Sequence, residues 1–134
     1  MAILEGANLS KSFGSLKAVN NLSLSVKEKE VLAIVGPNGS GKTTLFNLIS
    51  KVLKPDQGTV VFDGHRIDNL PPHRITHAGL ARTFQVPAFF KSMTVEEQVL
   101  LAAQFGGRNS HDASSTAAEN LEFVGLSDKA KSCD

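Results

Sequence analysis

The sequence has almost no cysteine, no long hydrophobic run and no excess of charge, and each absence excludes a class of protein. Cys133 is the single cysteine, so no internal disulfide can form, and that fits a reducing compartment. The longest apolar stretches, such as Val31–Val35, run for five residues, against the roughly 20 that a membrane-spanning helix needs. Met1-Ala2-Ile3-Leu4-Glu5-Gly6 has neither a basic start nor a long apolar stretch, so no secretory signal is read there. Lys and Arg number 14 against 13 Asp and Glu, a formal charge of +1. They are scattered and leave no electrostatic footprint for nucleic acid. The four histidines show no ligand spacing, so none is assigned to a metal. No internal repeat is visible. At 134 residues the chain is one domain by length. The expectation is a soluble, cytoplasmic chain.

What is present is concentrated in one segment. Gly36-Pro37-Asn38-Gly39-Ser40-Gly41-Lys42-Thr43-Thr44 follows the apolar run Val31–Val35, matching G-x-x-x-x-G-K-[ST] with a strand expected before it and a helix after it. Glycines at 36, 39 and 41 admit positive φ and close approach to a ligand. Successive N–H groups then form a concavity for anionic oxygens, and the following helix adds its positive end. Lys42 places a point charge on the β- and γ-phosphates, and the Thr43 hydroxyl can ligate Mg²⁺. The segment predicts binding of a nucleoside triphosphate.

Around it, Ile3–Phe13 and Lys17–Val26 read as two strands joined at Gly14-Ser15. In the second, Leu22, Leu24 and Val26 alternate with polar residues. Val31–Val35 lacks alternation and is expected to be a strand buried on both faces. A helix is predicted over 41–53, with Leu45, Leu48, Ile49 and Val52 as its apolar stripe and Lys51 and Lys54 at its C-terminal end. Pro55-Asp56-Gln57-Gly58 is a turn, Thr59–Phe62 a strand, Asp63-Gly64 a tight turn and His65–Ile67 the return. Pro71-Pro72 opens a short helix to about His77, Gly79 breaks it, and Leu80–Phe84 is expected as another strand. Thr94 caps a helix to about Phe105 with Glu96 and Glu97 in its first turn. After a loop at 106–110, a last helix runs from Ala113 to Phe123 and ends at Gly125. The pattern is α/β with an antiparallel N-terminal subsheet.

Three features narrow the family. Ser12-Phe13-Gly14 stands upstream of the loop, Pro37-Asn38 and Thr43-Thr44-Leu45 complete G-P-N-G-S-G-K-T-T-L, and Ala81-Arg82-Thr83-Phe84-Gln85 ends a strand ahead of Phe89-Phe90-Lys91-Ser92-Met93-Thr94-Val95-Glu96-Glu97-Gln98. Together they resemble the ATP-binding cassette (ABC) ATPases, and G-L-A-R-T-F-Q after L-P-P-H-R-I is most similar to the ATPase subunits of branched-chain amino-acid importers. The resemblance implies a P-loop NTPase fold: an antiparallel β subsheet, a partial parallel core sheet and part of a helical subdomain, with residues 1–92 as the nucleotide-binding part and 93–134 as the start of the helical part. It implies ATP and Mg²⁺ as ligands. Phe13 would stack on adenine, residues 36–44 would hold the phosphates, and Thr43 with Gln85 would meet the metal. The implied partners are permease subunits and a second ATPase subunit, on the cytoplasmic face of the membrane. A core role for Phe13 and a plain strand-end role for Gln85 stay open. So do two readings of Phe89 and Phe90, as a partner-facing surface or as local packing.

The family's L-S-G-G-Q signature, its acidic strand motif with a catalytic Glu and its switch His are not found, so no residue is assigned as catalytic. Val60-Val61-Phe62-Asp63 imitates the acidic strand, but Gly64 follows it and the segment reads as a hairpin. The sequence therefore reads as the N-terminal half of a family domain, inactive in hydrolysis by itself, whose apolar faces at 31–35 and 43–52 invite self-association. A stand-alone nucleotide-binding module is the alternative. A small P-loop kinase is disfavoured, because beyond residue 107 Arg108 is the single arginine where an Arg-rich lid is wanted.

Overall fold

The computed structural model describes residues 1–85, 88–106 and 112–133, in two compact units, Met1–Ile75 and Thr76–Asp134. The expected loop at 106–110 lies almost wholly outside the described residues.

In the first unit, β1 (Ala2–Phe13) and β2 (Leu16–Lys27) form a long antiparallel hairpin closing at the Phe13–Leu16 pair. Its ladder is interrupted by bulges, and Asn8 and Asn21 sit in the left-handed region with φ of 52° and 48°, where Asn is among the few residues tolerated. Neighbouring hydroxyls accept the amides these bulges release: Asn8 N–H donates to Ser23 Oγ at 2.9 Å and Asn21 N–H to Ser10 Oγ at 2.9 Å. β3 (Gln57–Phe62) pairs with the other edge of β1, and β4 (His65–Arg66) with β3, giving an antiparallel sheet in the order β2-β1-β3-β4. Asp63 and Gly64, both with positive φ, make the hairpin between β3 and β4, as the sequence pattern anticipates.

α1 (Lys42–Ile49) packs on β1 and β2 with Leu45, Leu48 and Ile49 buried, alongside Leu9, Val19, Val60 and Ile67. This core forms because the i, i+3, i+4 spacing in the helix meets the inward positions of the strands. α1 is shorter than the helix predicted to residue 53. Ser50 caps it, and Lys51 turns left-handed at φ 59°, so Val52 is half-exposed and Lys51 and Lys54 lie beyond the last turn. The Lys51 ammonium instead donates to the backbone carbonyl of Asp68. Asp68, buried at 5% exposure, accepts from Arg66 Nε at 2.8 and 3.0 Å, Arg66 Nη2 at 2.9 Å and Val60 N–H at 3.1 Å. A buried carboxylate is tolerated because its lone pairs are so fully taken.

Two expected strands are corrected. Val31–Val35 and Leu80–Phe84 are irregular, and Val31 and Val35 are 95% and 92% exposed. A strand of the parallel type needs ladder partners at its edges. Among the described residues no strand pairs with either segment. The antiparallel part of the expected fold is present, and the parallel part is not among the described residues.

α2 (Pro72–His77) is followed by Gly79 at φ 106°. In the second unit, α3 (Val95–Gly106) and α4 (Ala113–Phe123) pack together. Thr94 and Glu97 form a capping box at the start of α3: Glu97 N–H donates to Thr94 Oγ1 at 3.2 Å, and Thr94 N–H to Glu97 Oε2 at 2.7 Å. Val95 and Glu96 N–H donate to the carbonyls of Ser132 and Ala130, both at 2.9 Å. Asp112 caps α4 by accepting from Ser115 N–H at 3.0 Å, and Gly125, φ 69°, ends it. No described helix is long and apolar enough to cross a membrane.

Candidate phosphate-binding site

The segment at 36–44 forms a loop that runs directly into α1. Ser40 N–H donates to the Pro37 carbonyl at 3.3 Å, making a tight turn through Asn38 and Gly39. Gly41 is the N-cap of α1 in the left-handed conformation, φ 89°, and no side chain caps the helix. The amides of the first turn, from Lys42, Thr43 and Thr44, therefore lie at the mouth of the loop with the positive end of the helix behind them.

The three glycines have different roles. Gly39 and Gly41 take positive φ, and Gly36 does not, which corrects the expectation of positive φ at all three. A Cβ on Gly36 would stand 2.8 Å from Ser40 Oγ, a contact that rotation of the Ser40 side chain relieves. A Cβ on Gly41 would lie 2.1 Å from the carbonyl oxygen of Ala18. β2 thus passes against the backbone of the loop, and only a residue without a side chain fits between them.

Lys42 is half-buried and folds back over the loop. Its ammonium donates to the Gly36 carbonyl at 2.7 Å, the Pro37 carbonyl at 2.6 Å and Ser40 Oγ at 3.3 Å. All three protons of the head group are thereby directed at the loop that the motif reserves for phosphate. Beside it is a cavity of about 340 Å³, lined by Ala18, Val19, Asn20 and Leu22 of β2, by residues 34–37 and 40–42, and by Leu45. Its volume is at the lower end of the range for small-molecule sites.

The other expected site residues are distributed unevenly. Thr43 is exposed and Thr44 half-buried in the first turn of α1, and Asn38 is exposed at the loop tip. Phe13 ends β1 and is 48% exposed, too open for a core position. Neither Phe13 nor Thr43 lines the cavity. Gln85 lies in a bend of the second unit, exposed. The Ala18–Leu22 wall was not legible beforehand, because nothing in the pattern of β2 distinguishes it from other strand residues. Its only signal is the contact with Gly41.

The chemistry of this arrangement fits a phosphate group: a glycine-rich turn, an uncapped helix N-terminus and one ammonium held over the loop. The Thr43 hydroxyl, next to Lys42, has the chemistry of a hard-cation ligand.

Residues 19–133 match the ABC transporter family. The chain is 45% identical over 115 residues to a probable branched-chain amino acid transport ATP-binding protein LivG of Archaeoglobus fulgidus, covering 85% of this chain and 45% of that one. It is 46% identical over 100 residues to the high-affinity branched-chain amino acid transport ATP-binding protein BraF of Pseudomonas aeruginosa, covering 75% and 39%. Among solved structures it resembles a nucleotide-free ATP-binding cassette from an ABC transporter, with TM-score 0.81, 37% identity and coverage of 98% of this chain and 57% of the other. The ADP conformation of such a cassette gives TM-score 0.82 at the same identity and coverage. The chain thus spans less than half the length of these two curated relatives.

Proposed function

The chain belongs to the ABC transporter family, among its ATP-binding chains related to those of branched-chain amino-acid transport, and from that premise we propose that it binds MgATP to energise import of branched-chain amino acids or related solutes. The observation that carries this reading is the ammonium of Lys42 folded over a glycine-rich loop at the start of α1.

In the proposed mechanism the amides at 39–44 and the Lys42 ammonium hold the β- and γ-phosphates by charge-assisted hydrogen bonds. Phe13 offers a ring face to the base. Thr43 would ligate Mg²⁺, with Gln85 as a further candidate ligand, and the ion would supply neutralisation of charge on the terminal phosphates. Two such subunits close on nucleotide and move the permease. The assembly lies on the cytoplasmic face of the membrane, with no role for nucleic acid.

A second group of residues supports the permease as partner. Phe89 and Phe90 are 72% and 59% exposed and border an apolar groove of about 720 Å³ that Val95, Val99, Phe105 and Leu126 also line. Gln98 fixes the segment, accepting from Phe90 N–H at 3.1 Å and donating to the Met93 carbonyl at 3.2 Å. Aromatic rings held open in this way favour docking over local packing. The exposed Val31, Leu32 and Val35 support self-association of the chain.

Calorimetric titration of the chain with MgATP tests the nucleotide reading, and absence of saturable binding refutes it. ATP-driven leucine uptake into vesicles carrying the permease tests the transport reading. Uptake that is indifferent to Lys42→Ala in the intact ATPase overturns it.

A further inference from the structure

The end of β1 that carries Phe13 is held by a residue from the turn after α1. Asp56 N–H donates to the Ser10 carbonyl at 2.9 Å. Its carboxylate accepts from Ser12 N–H at 2.8 Å through Oδ2 and from Lys11 Nζ at 2.7 Å through Oδ1. The Lys11 side chain is only 17% exposed. The same Nζ stands 5.8 Å from the centroid of the Phe13 ring, within the range of a cation–π contact. One acidic side chain therefore grips the backbone on one side of Phe13 and the cation over its ring.

We propose that Asp56 and Lys11 are positioning residues for the base-stacking face of Phe13, a proposal that rests on the reading of Phe13 as the adenine contact. Three physical consequences follow. The ion pair with Asp56 holds Lys11 beside the ring, so its charge acts on the ring. With the ammonium on one ring face, a base meets the other, and the cation draws π density away from the face the base will meet. A half-exposed phenyl ring otherwise samples several rotamers, and a ring already held loses less freedom when the base arrives. Asp56 also follows α1 closely in the chain, so one residue couples the strand end that would meet the base to the helix that would meet the phosphates. An ordinary surface ion pair would add little. Here the pair is anchored by two further hydrogen bonds to β1.

The experiment compares Kd for MgATP and for magnesium tripolyphosphate in the wild-type chain, Lys11→Met, Asp56→Asn, Phe13→Ala and Lys11→Met/Phe13→Ala, with thermal unfolding recorded for each. The expected result is that Lys11→Met and Asp56→Asn weaken ATP binding by about three- to fivefold and leave tripolyphosphate binding unchanged. Lys11→Met is expected to have no further effect once Phe13 is Ala. Equal weakening of both ligands, or additive effects of the Lys11 and Phe13 substitutions, overturns the positioning role. If Phe13→Ala leaves ATP binding intact while Lys42→Ala abolishes it, the base reading of Phe13 fails and the positioning proposal fails with it. Should Asp56→Asn unfold the chain, Lys11→Met, which keeps the aliphatic stem, still decides between these outcomes.

Discussion

The ammonium of Lys42 donates to the carbonyl oxygen of Gly36 at 2.7 Å, so the cation of the phosphate loop is tethered to the first residue of the same loop. The tether holds positive charge over the loop, and on the proposed reading a bound phosphate would compete with the loop carbonyls for those hydrogen bonds. Charge-assisted bonds of this kind contribute about 1.5–3 kcal/mol each. Lys42→Ala is expected to weaken ATP binding at least tenfold, measured by calorimetric titration. Unchanged affinity would remove the loop from the site.

Glycine substitution separates space from conformation in the loop. Gly41→Ala drives a methyl group to 2.1 Å from the Ala18 carbonyl at a φ of 89°, whereas Gly39→Ala meets nothing within 4 Å and has only its φ of 79° to overcome. Gly39→Ala should cost about 1–2 kcal/mol of stability. Gly41→Ala should cost more, at least about 3 kcal/mol, because backbone must move as well. Urea denaturation of the two variants checks the order, and equal losses would contradict the close approach of β2.

Asp68 predicts an acid limb in stability. The Arg66 guanidinium beside it, and then the Val60 amide, hold its carboxyl below the usual carboxylate range, with burial opposing them. A carboxyl depressed in the folded state stabilises the fold above its unfolded pKa, and that contribution disappears as pH falls through the folded pKa. With an unfolded value of about 3.9, stability should be level from neutral pH to about 5 and fall below that. Asp68→Asn is expected to cost about 1–3 kcal/mol at pH 7, reduced by screening because Arg66 is 55% exposed. The gap from wild type should narrow toward pH 3. A gap independent of pH would assign the loss to packing.

Hydrolysis by the chain alone is expected to be undetectable. On the proposed reading Thr43 and Gln85 are candidate Mg²⁺ ligands, but among the described residues none is assigned as a general base, and phosphoryl transfer depends on positioning in a closed site. Losing the base alone typically costs ~10²–10⁴ in rate. A phosphate-release assay on purified chain decides it. Sustained turnover that vanishes with Lys42→Ala would mean that a catalytic group lies within these residues.

The sequence by itself determined the elements whose rules are local. The Gly36–Thr44 loop, the helix that starts at Lys42, the hairpin at Gly14-Ser15, the turn at Asp63-Gly64 and the Thr94 cap of the following helix are each specified within a few residues, by positive-φ glycines, side-chain caps and periodicity of 2 or 3.6. Tertiary structure decided whatever needs a distant partner. Val31–Val35 has the composition of a central strand, but a strand exists only as part of a ladder, and no described strand pairs with it. α1 likewise ends before the predicted residue 53, with Lys51 left-handed and its ammonium on the Asp68 carbonyl. Gly41 was legible as a glycine of the motif, yet the reason no Cβ fits there is the carbonyl of Ala18 on another element. Asp56 read as a turn residue and Lys11 as one residue of the first strand. Only the pairing of β1 with β3 sets them side by side next to Phe13, because register, which a single strand's pattern does not encode, determines which side chains meet across a sheet.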